Sequence, residues 1–227
     1  MGSNFRCSPT IYGPCRWCGA RNRSPNYDWI FEIKWDGFRC LALIEHGRCR
    51  LISRNGNQFS SFKVLCEALP KELNADNAVL DGELVVIDDS GRSVFNDLLF
   101  RRGEPRFYAF DVLYCDGKDL RLDGLLDRKR KLKSLIDKRD RLLFCDHIEE
   151  RGEDLFRHVC RLDLEGVVAK HRNSPYLPDD PECQWVKVKN PEYSQLAGRD
   201  DLFTPGEKKR SQPDWAGCVV ACAEAEL

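Results

Sequence analysis

The chain has 227 residues and a formal net charge of −1, with 42% hydrophobic and 32% charged residues. These values are typical of a soluble globular protein with one large domain or two small ones. They exclude a general attraction to nucleic acid, so DNA or RNA binding would need local basic patches. No apolar run approaches the ~20 residues of a membrane span. Residues 1–4 lack a secretory signal pattern, so we predict a cytoplasmic protein without a membrane partner.

Strands and helices are predicted in chain order after an irregular, Gly- and Pro-rich arm at residues 1–26. Alternating apolar residues between turn signals predict strands at residues 29–35, 38–45, 49–54, 78–87, 107–114, 142–148, 166–170 and 184–189. Helical spacing predicts helices at 62–69 (Ser61 as N-cap, Pro70 at the end), 94–100, 125–138 and 154–162. This order lacks a regular βαβ rhythm, which favours an α+β fold with largely antiparallel sheets.

Twelve cysteines are many for such a protein. Cys15 and Cys18 form a CxxC pair with Cys7 upstream, which would supply half of a zinc site. A structural zinc site usually has two such pairs, and no second pair exists, so zinc is the weaker alternative. Six other cysteines lie in apolar patterns and are predicted to be small core residues: Cys40, Cys49, Cys66, Cys115, Cys145 and Cys160.

Local basic patches are the candidates for contact with a polyanion. They are Arg101–Arg102, Arg128–Lys133, Lys170–Arg172 and Lys208–Arg210. We expect the second patch to be the solvated face of a helix, because Leu132, Leu135 and Ile136 would occupy the other side. Lys170 is predicted to flank its strand without joining a site, and His171 to lie on the surface.

Charged residues inside the apolar strand patterns are the candidates for chemistry. Lys34 stands at a strand end, close to the turn residues Asp36 and Gly37. Glu83 and Glu165 are carboxylates suited to a hard cation such as Mg²⁺. Lys187 and Lys189 alternate with valines and so share one strand face, which suits a polyanion. Together these residues favour phosphoryl or nucleotidyl transfer, although each alone would also fit a solvated surface charge.

The segment from Glu32 to Arg39, EIKWDGFR, resembles the nucleotidyltransferase signature of ATP-dependent DNA ligases, related RNA ligases and capping enzymes. The family's further motifs follow in order, at Ser53–Gly56, Leu80–Leu84, Phe107–Leu113, Glu165–Lys170 and Trp185–Lys189. The resemblance covers residues 27–193. Its details, including Asn173–Tyr176 and Lys189–Tyr193, most resemble adenylation domains of bacterial end-joining DNA ligases. Six motifs in order are a specific signal.

This resemblance implies an ATP-grasp-like nucleotidyltransferase fold, with a nucleotide cleft between sheets that are flanked by helices. It implies that Lys34 attacks the α-phosphate of ATP, keeps AMP and passes it to a 5′-phosphate of nicked or broken DNA. The remaining implied roles are adenine stacking for Phe110, reading of the adenine amino edge for Glu32, phosphate binding for Arg39, Arg54, Lys187 and Lys189, and contact with ribose or Mg²⁺ (or Mn²⁺) for Glu83 and Glu165.

The sequence departs from the family pattern after the last lysine motif. Residues 194–227 are predicted to be a short tail, too short for the OB-fold domain that usually follows. The loop at 176–184 is acidic where relatives tend to carry glycine and basic residues. The involvement of a separate protein that supplies the clamp or the end-joining function is therefore left open. Two further alternatives remain: an RNA ligase or capping-type enzyme, and an impaired remnant that binds nucleotide or DNA ends.

Overall fold

The computed structural model describes residues 26–136, 140–177 and 185–196. The predicted arm before residue 26, the tail after residue 196 and most of the acidic loop lie outside these residues. The same holds for Cys7, Cys15 and Cys18 and for the basic patch at Lys208–Arg210.

Ten strands and four α-helices are numbered here in chain order among the described residues. The strands are β1 (Trp29–Lys34), β2 (Phe38–Glu45), β3 (Arg48–Ser53), β4 (Asn77–Val85), β5 (Arg106–Cys115), β6 (Lys118–Asp119), β7 (Leu142–Phe144), β8 (Ile148–Glu149), β9 (Gly166–His171) and β10 (Trp185–Lys189). The helices are α1 (Lys63–Ala68), α2 (Phe95–Leu99), α3 (Leu125–Leu135) and α4 (Gly152–Arg161). Single 3₁₀ turns lie at Asn26–Asp28, Leu69–Lys71 and Ser194–Leu196.

The strands form two sheets. One has four strands in the order β10-β9-β1-β8, and the other has the order β3-β2-β4-β5-β6, with β7 added beside β5. Every strand pair is antiparallel except β5 with β7. The predicted α+β class with largely antiparallel sheets is confirmed.

The turn at Asp36 and Gly37 connects the two sheets. The sequence predicted a turn from the first strand into the second, as in a hairpin, but β1 and β2 belong to different sheets. A Cβ atom on Gly37 would lie 1.9 Å from the carbonyl oxygen of Leu84 in β4. Only glycine therefore lets the chain pass this close to β4 as it changes sheets.

Two local predictions were wrong. The strand predicted at 142–148 is two strands, because β7 joins the larger sheet and β8 the smaller one. Helix α1 begins after Phe62 without a side-chain cap, so Ser61 is not its N-cap, and Pro70 lies in the 3₁₀ turn that follows.

The helices cover the outer faces of the sheets. Apolar residues of β2, β4 and β5 form the main core with side chains of α1 and α3, including Leu65 and Leu132. Helix α4 packs Val159 against Phe31 and Val167 of the smaller sheet. The opposite face of the larger sheet, around Leu41, meets Trp185. In the described part of the chain, no helix has the length and apolar character needed to cross a membrane.

The six predicted core cysteines divide into two groups of three. Cys40, Cys115 and Cys145 are buried, whereas Cys49, Cys66 and Cys160 are half-buried. All six are free thiols.

Candidate active site

A cleft of about 710 Å³ contains most of the predicted site residues. Its lining includes Glu32, Lys34, Arg39, Arg54, Glu83, Phe110, Glu165 and Lys187. These side chains come from both sheets, so the cleft exists only where the sheets face each other. Lys189 does not line it, although it shares an exposed face of β10 with Lys187.

Strand register brings Lys34 and Glu165 together. Lys34 lies opposite Gly166 in the pairing of β1 with β9, and Glu165 is the residue before β9. The Lys34 Nζ donates a hydrogen bond to Glu165 Oε2 at 2.5 Å. A Cβ on Gly166 would lie 2.2 Å from the Val188 carbonyl oxygen, so this glycine permits the close approach of β10. Two motifs that are 131 positions apart thus meet at one ammonium–carboxylate contact.

Glu83 is another carboxylate of the cleft. Burial raises the pKa of Glu83 to about 8; the charges of Lys34 and Arg39 oppose this, and those of Glu165 and Asp81 add to it. The positive charges around this half-buried carboxyl therefore do not fully offset the cost of ionising it.

The donor set fits a magnesium ion that is shared with a ligand. Glu83 and Glu165 offer hard carboxylate oxygens, which Mg²⁺ prefers. No group of three or more His, Cys, Asp or Glu residues that could hold a metal occurs among the described residues. Phosphate and water oxygens would therefore have to complete the coordination, as is usual for Mg²⁺.

Arg39 is held by a buried carboxylate. Its Nε and Nη2 donate to the two oxygens of Asp81 at 3.2 and 2.7 Å, and Asp81 is fully buried. The Tyr176 hydroxyl donates to the same carboxylate at 2.8 Å. The guanidinium carbon also lies 5.7 Å from the centre of the Phe110 ring and 5.3 Å from that of Trp185. The sequence identified Arg39 but missed Asp81 and Tyr176, which fix its position.

Positive charge accumulates in the cleft. Burial, and then the positive charges of Arg39, Lys34 and Arg54, lower the pKa of Lys187. Lys34 and Arg39 are paired with Glu165 and Asp81, but the lowered pKa of Lys187 shows that these carboxylates do not fully offset the positive charges. The arrangement suits a ligand that carries several phosphates.

Lys170 belongs to the cleft, contrary to the prediction that it only flanks its strand. Its side chain is 2% exposed, and its Nζ lies 4.3 Å from the centre of the Phe110 ring and 4.1 Å from that of Trp185. Its Nζ also forms an ion pair with Glu32 Oε2 at 2.6 Å. Val168 lines the cleft as well, so the two-residue alternation along β9 was the signal that could have identified Lys170.

The prediction that the basic face of the 125–138 helix is solvated holds for part of that face, but not for Arg128 and Lys129. Arg128 and Lys129 are each 1% exposed. Lys129 Nζ donates to Glu32 Oε1 at 2.6 Å and to the carbonyl oxygen of Cys145 at 2.7 Å. Burial would raise the pKa of Glu32, but Lys129 and Lys170 outweigh it and leave that pKa below its ordinary value. No signal in the sequence pairs Lys129 with a residue 97 positions away.

Asp36 of the first motif is also fixed by a distant residue. The hydroxyl of Tyr193 donates to Asp36 Oδ2 at 2.7 Å, and both side chains are buried. This bond ties the turn between the sheets to the segment after β10, 157 positions later.

Comparison with known proteins gives one consistent family. Residues 20–189 match the family model described as ATP dependent DNA ligase domain. The chain is 37% identical over 172 residues to the multifunctional non-homologous end joining protein LigD of Pseudomonas aeruginosa, covering 73% of this chain and 20% of that protein. The corresponding protein of Mycolicibacterium smegmatis is 36% identical over 163 residues, with 71% and 21% covered. The chain thus spans about a fifth of the length of the curated relatives it matches.

Solved structures agree with this result. The ligase domain of LigD from M. tuberculosis has a TM-score of 0.63 and 34% identity, over 71% of this chain and 53% of that one. A mycobacterial DNA ligase D complexed with ATP and MES has the same TM-score and identity, over 71% and 54% of the two chains. The fold is therefore that of a DNA ligase nucleotidyltransferase domain.

Proposed function

Because the chain belongs to the ATP-dependent DNA ligase family, we propose that residues 27–193 form an adenylation domain that joins DNA ends. Lys34 Nζ attacks the α-phosphate of ATP, a nitrogen–phosphorus bond forms, and the bond to pyrophosphate breaks. The AMP then passes to a DNA 5′-phosphate, and a 3′-hydroxyl displaces AMP to seal the strand. The contact between Lys34 and Glu165, in a cleft that Arg54 and Lys187 also line, is the observation that carries this proposal.

The Lys34 contact supports a role as nucleophile. Only a neutral amine attacks, so the ammonium group must give up a proton. Glu165 Oε2 accepts its hydrogen bond at 2.5 Å, and the side chain of Lys34 is only 19% exposed. Glu165 therefore orients the nitrogen and is the nearest group to which its proton would move.

The rest of the cleft supports the binding of ATP. Phe110 offers a ring face for stacking on adenine, and Glu32 offers a carboxylate for its amino group. Arg39, Arg54 and Lys187 supply positive charge for the phosphates. Lys189 lies outside the cleft lining, on the same face of β10 as Lys187, and would add positive charge for phosphates that approach.

Glu83 and Glu165 would hold a Mg²⁺ or Mn²⁺ ion together with phosphate oxygens. Such an ion supplies Lewis-acid stabilisation of negative charge on the reacting phosphate. A ribose hydroxyl is a further partner for Glu83, because a protonated carboxyl can both donate and accept a hydrogen bond.

The substrate that we propose is nicked or broken DNA in the cytoplasm. The matched relatives are named as end-joining proteins, and we extend that role to this chain.

Covalent labelling tests the proposal. The purified chain is incubated with α-labelled ATP and Mg²⁺, denatured and examined for label, beside Lys34→Ala and beside labelled GTP. We expect label that requires both Lys34 and ATP, and its transfer to 5′-phosphorylated nicked DNA. A folded chain that takes no label, or equal label in Lys34→Ala, would contradict the proposal.

A further inference from the structure

We propose that Lys129 is a positioning residue that sets the preference for ATP over GTP by holding the carboxylate of Glu32. This inference rests on the proposed function, in which Glu32 faces the purine base. Lys129 does not line the cleft, so it would act through Glu32 and not by touching nucleotide.

The two oxygens of Glu32 are held by two different elements. Lys129 of α3 reaches Oε1 at 2.6 Å, and Lys170 of β9 reaches Oε2 at 2.6 Å. Lys129 is itself fixed by the Cys145 carbonyl oxygen at 2.7 Å and by the Phe144 ring, whose centre is 4.7 Å from Nζ. The carboxylate therefore has one defined orientation at the edge of the cleft.

This arrangement also defines the charge of Glu32. The carboxyl is 2% exposed, and a buried carboxyl without cationic partners tends to keep its proton. Two ammonium groups at 2.6 Å favour the ionised form instead. An ionised carboxylate only accepts hydrogen bonds, and it has lone pairs left for a ligand after both ion pairs are made.

The purine bases differ at the atom that such a carboxylate would meet. Adenine carries a 6-amino group, which donates, whereas guanine carries a 6-oxo group, which accepts. A fixed acceptor therefore favours adenine and opposes guanine, because a buried mismatch leaves polar groups unpaired. Without Lys129, Glu32 would turn toward Lys170 or take up a proton, and a protonated carboxyl can donate to the guanine oxygen.

The test is a double-mutant cycle on nucleotide preference. Rates of covalent labelling are measured at subsaturating ATP and GTP for the wild-type chain, Lys129→Met, Glu32→Gln and the double variant. Lys131→Met is the matched control, because Lys131 lies exposed on the same helix. The double variant removes both partners of a buried ion pair, which proteins tolerate better than the loss of one. Circular dichroism confirms that each variant folds.

We expect Lys129→Met to lower the ATP-to-GTP ratio by roughly tenfold or more, with no change in Lys131→Met. In the Glu32→Gln background, Lys129→Met should leave the ratio unchanged, because no carboxylate remains to be held. A Lys129→Met chain that loses ATP and GTP labelling in equal proportion would show a structural role only and overturn the inference. An equal change of the ratio in both backgrounds would overturn it as well.

Failure of the proposed function is distinguishable from failure of this inference. If the wild-type chain takes no label from either nucleotide, the proposed function is wrong. Titration calorimetry on the same variants then gives the ratio of ATP to GTP affinity. This ratio tests the role of Lys129 in nucleotide preference without the labelling reaction. If Lys129→Met does not fold, the ATP-to-GTP ratio of Glu32→Gln is compared with that of the double variant. Any difference between these two ratios would contradict the inference.

Discussion

At the scale of single residues, two carboxylates of the cleft differ in their surroundings. Glu165 contacts Lys34 at 2.5 Å, whereas the pKa of Glu83 is raised to about 8, mainly by burial. The raised pKa favours the protonated form of Glu83 in the nucleotide-free chain at neutral pH. An added cation, such as a bound metal ion, would favour its ionised form.

The raised pKa of Glu83 predicts a pH dependence of stability. The folded chain holds a proton that the unfolded chain releases as pH rises from the ordinary value of 4.5 to about 8. The stability that this proton provides is complete below the unfolded value and is lost as pH rises through the folded one. Glu83→Gln has no titrating group at this position. We therefore expect the free energy of unfolding of the variant to increase relative to that of wild type as pH rises from 6 to 9.

Urea unfolding of both proteins at pH 6, 7, 8 and 9, with a chelator present, measures this difference. Other titrating groups are the same in both chains and cancel in the comparison. Parallel stability curves for wild type and Glu83→Gln would show that Glu83 titrates normally.

At the scale of elements, helix α3 links the outside of the domain to the nucleotide cleft. Lys129 reaches Glu32, while its neighbour Arg128 pairs with Asp111 of β5 through bonds of 2.8 and 2.9 Å. Arg128 also donates to the carbonyl oxygens of Asp123 and Ser174. The helix is therefore attached by two buried charges in addition to its apolar residues.

We predict that Arg128→Met lowers the free energy of unfolding by about 3–5 kcal/mol, because it leaves Asp111 buried without its partner. Arg130→Met is the control: the side chain of Arg130 is 77% exposed, and its loss should change stability by about 0.5 kcal/mol or less. Urea unfolding of both variants measures the contrast. Equal effects would mean that the buried pair contributes no more than a surface charge.

At the scale of the whole molecule, the site depends on how the two sheets face each other. Lys34 and Glu165 come from the smaller sheet, and Arg39 and Glu83 from the larger one. The chain crosses between the sheets beside Gly37, where an added Cβ would lie 1.9 Å from Leu84 O. Gly37, which has no side chain, thus sets how closely the chain that joins the two sheets approaches β4.

Gly37→Ala should therefore misplace Lys34 relative to the larger sheet. We expect the rate of covalent labelling to fall by about 100-fold, the order of loss that a 1 Å misplacement causes. Gly124→Ala is the control, because its Cβ would meet neighbours no nearer than 3.5 Å. A Gly37→Ala chain that labels at the wild-type rate would show that the turn adapts without moving the site.

The sequence by itself determined most of the strands and helices and predicted most of the residues that line the cleft. Strand alternation and turn residues located β1, β2 and β10 to within one residue, because these patterns depend only on local geometry. Charged residues within apolar strand patterns and the motif resemblance predicted Lys34, Glu83 and Glu165, and all three line the cleft.

Only the tertiary structure decided what surrounds these residues. The burial of Lys129 and Lys170 around Glu32 was not predictable, because a buried charge depends on partners far away in the chain. The assignment of β1 and β2 to different sheets, and the place of Lys189 outside the cleft, followed from sheet packing. Local patterns specify which face of a strand is apolar, whereas the packing of two sheets decides which polar residues meet.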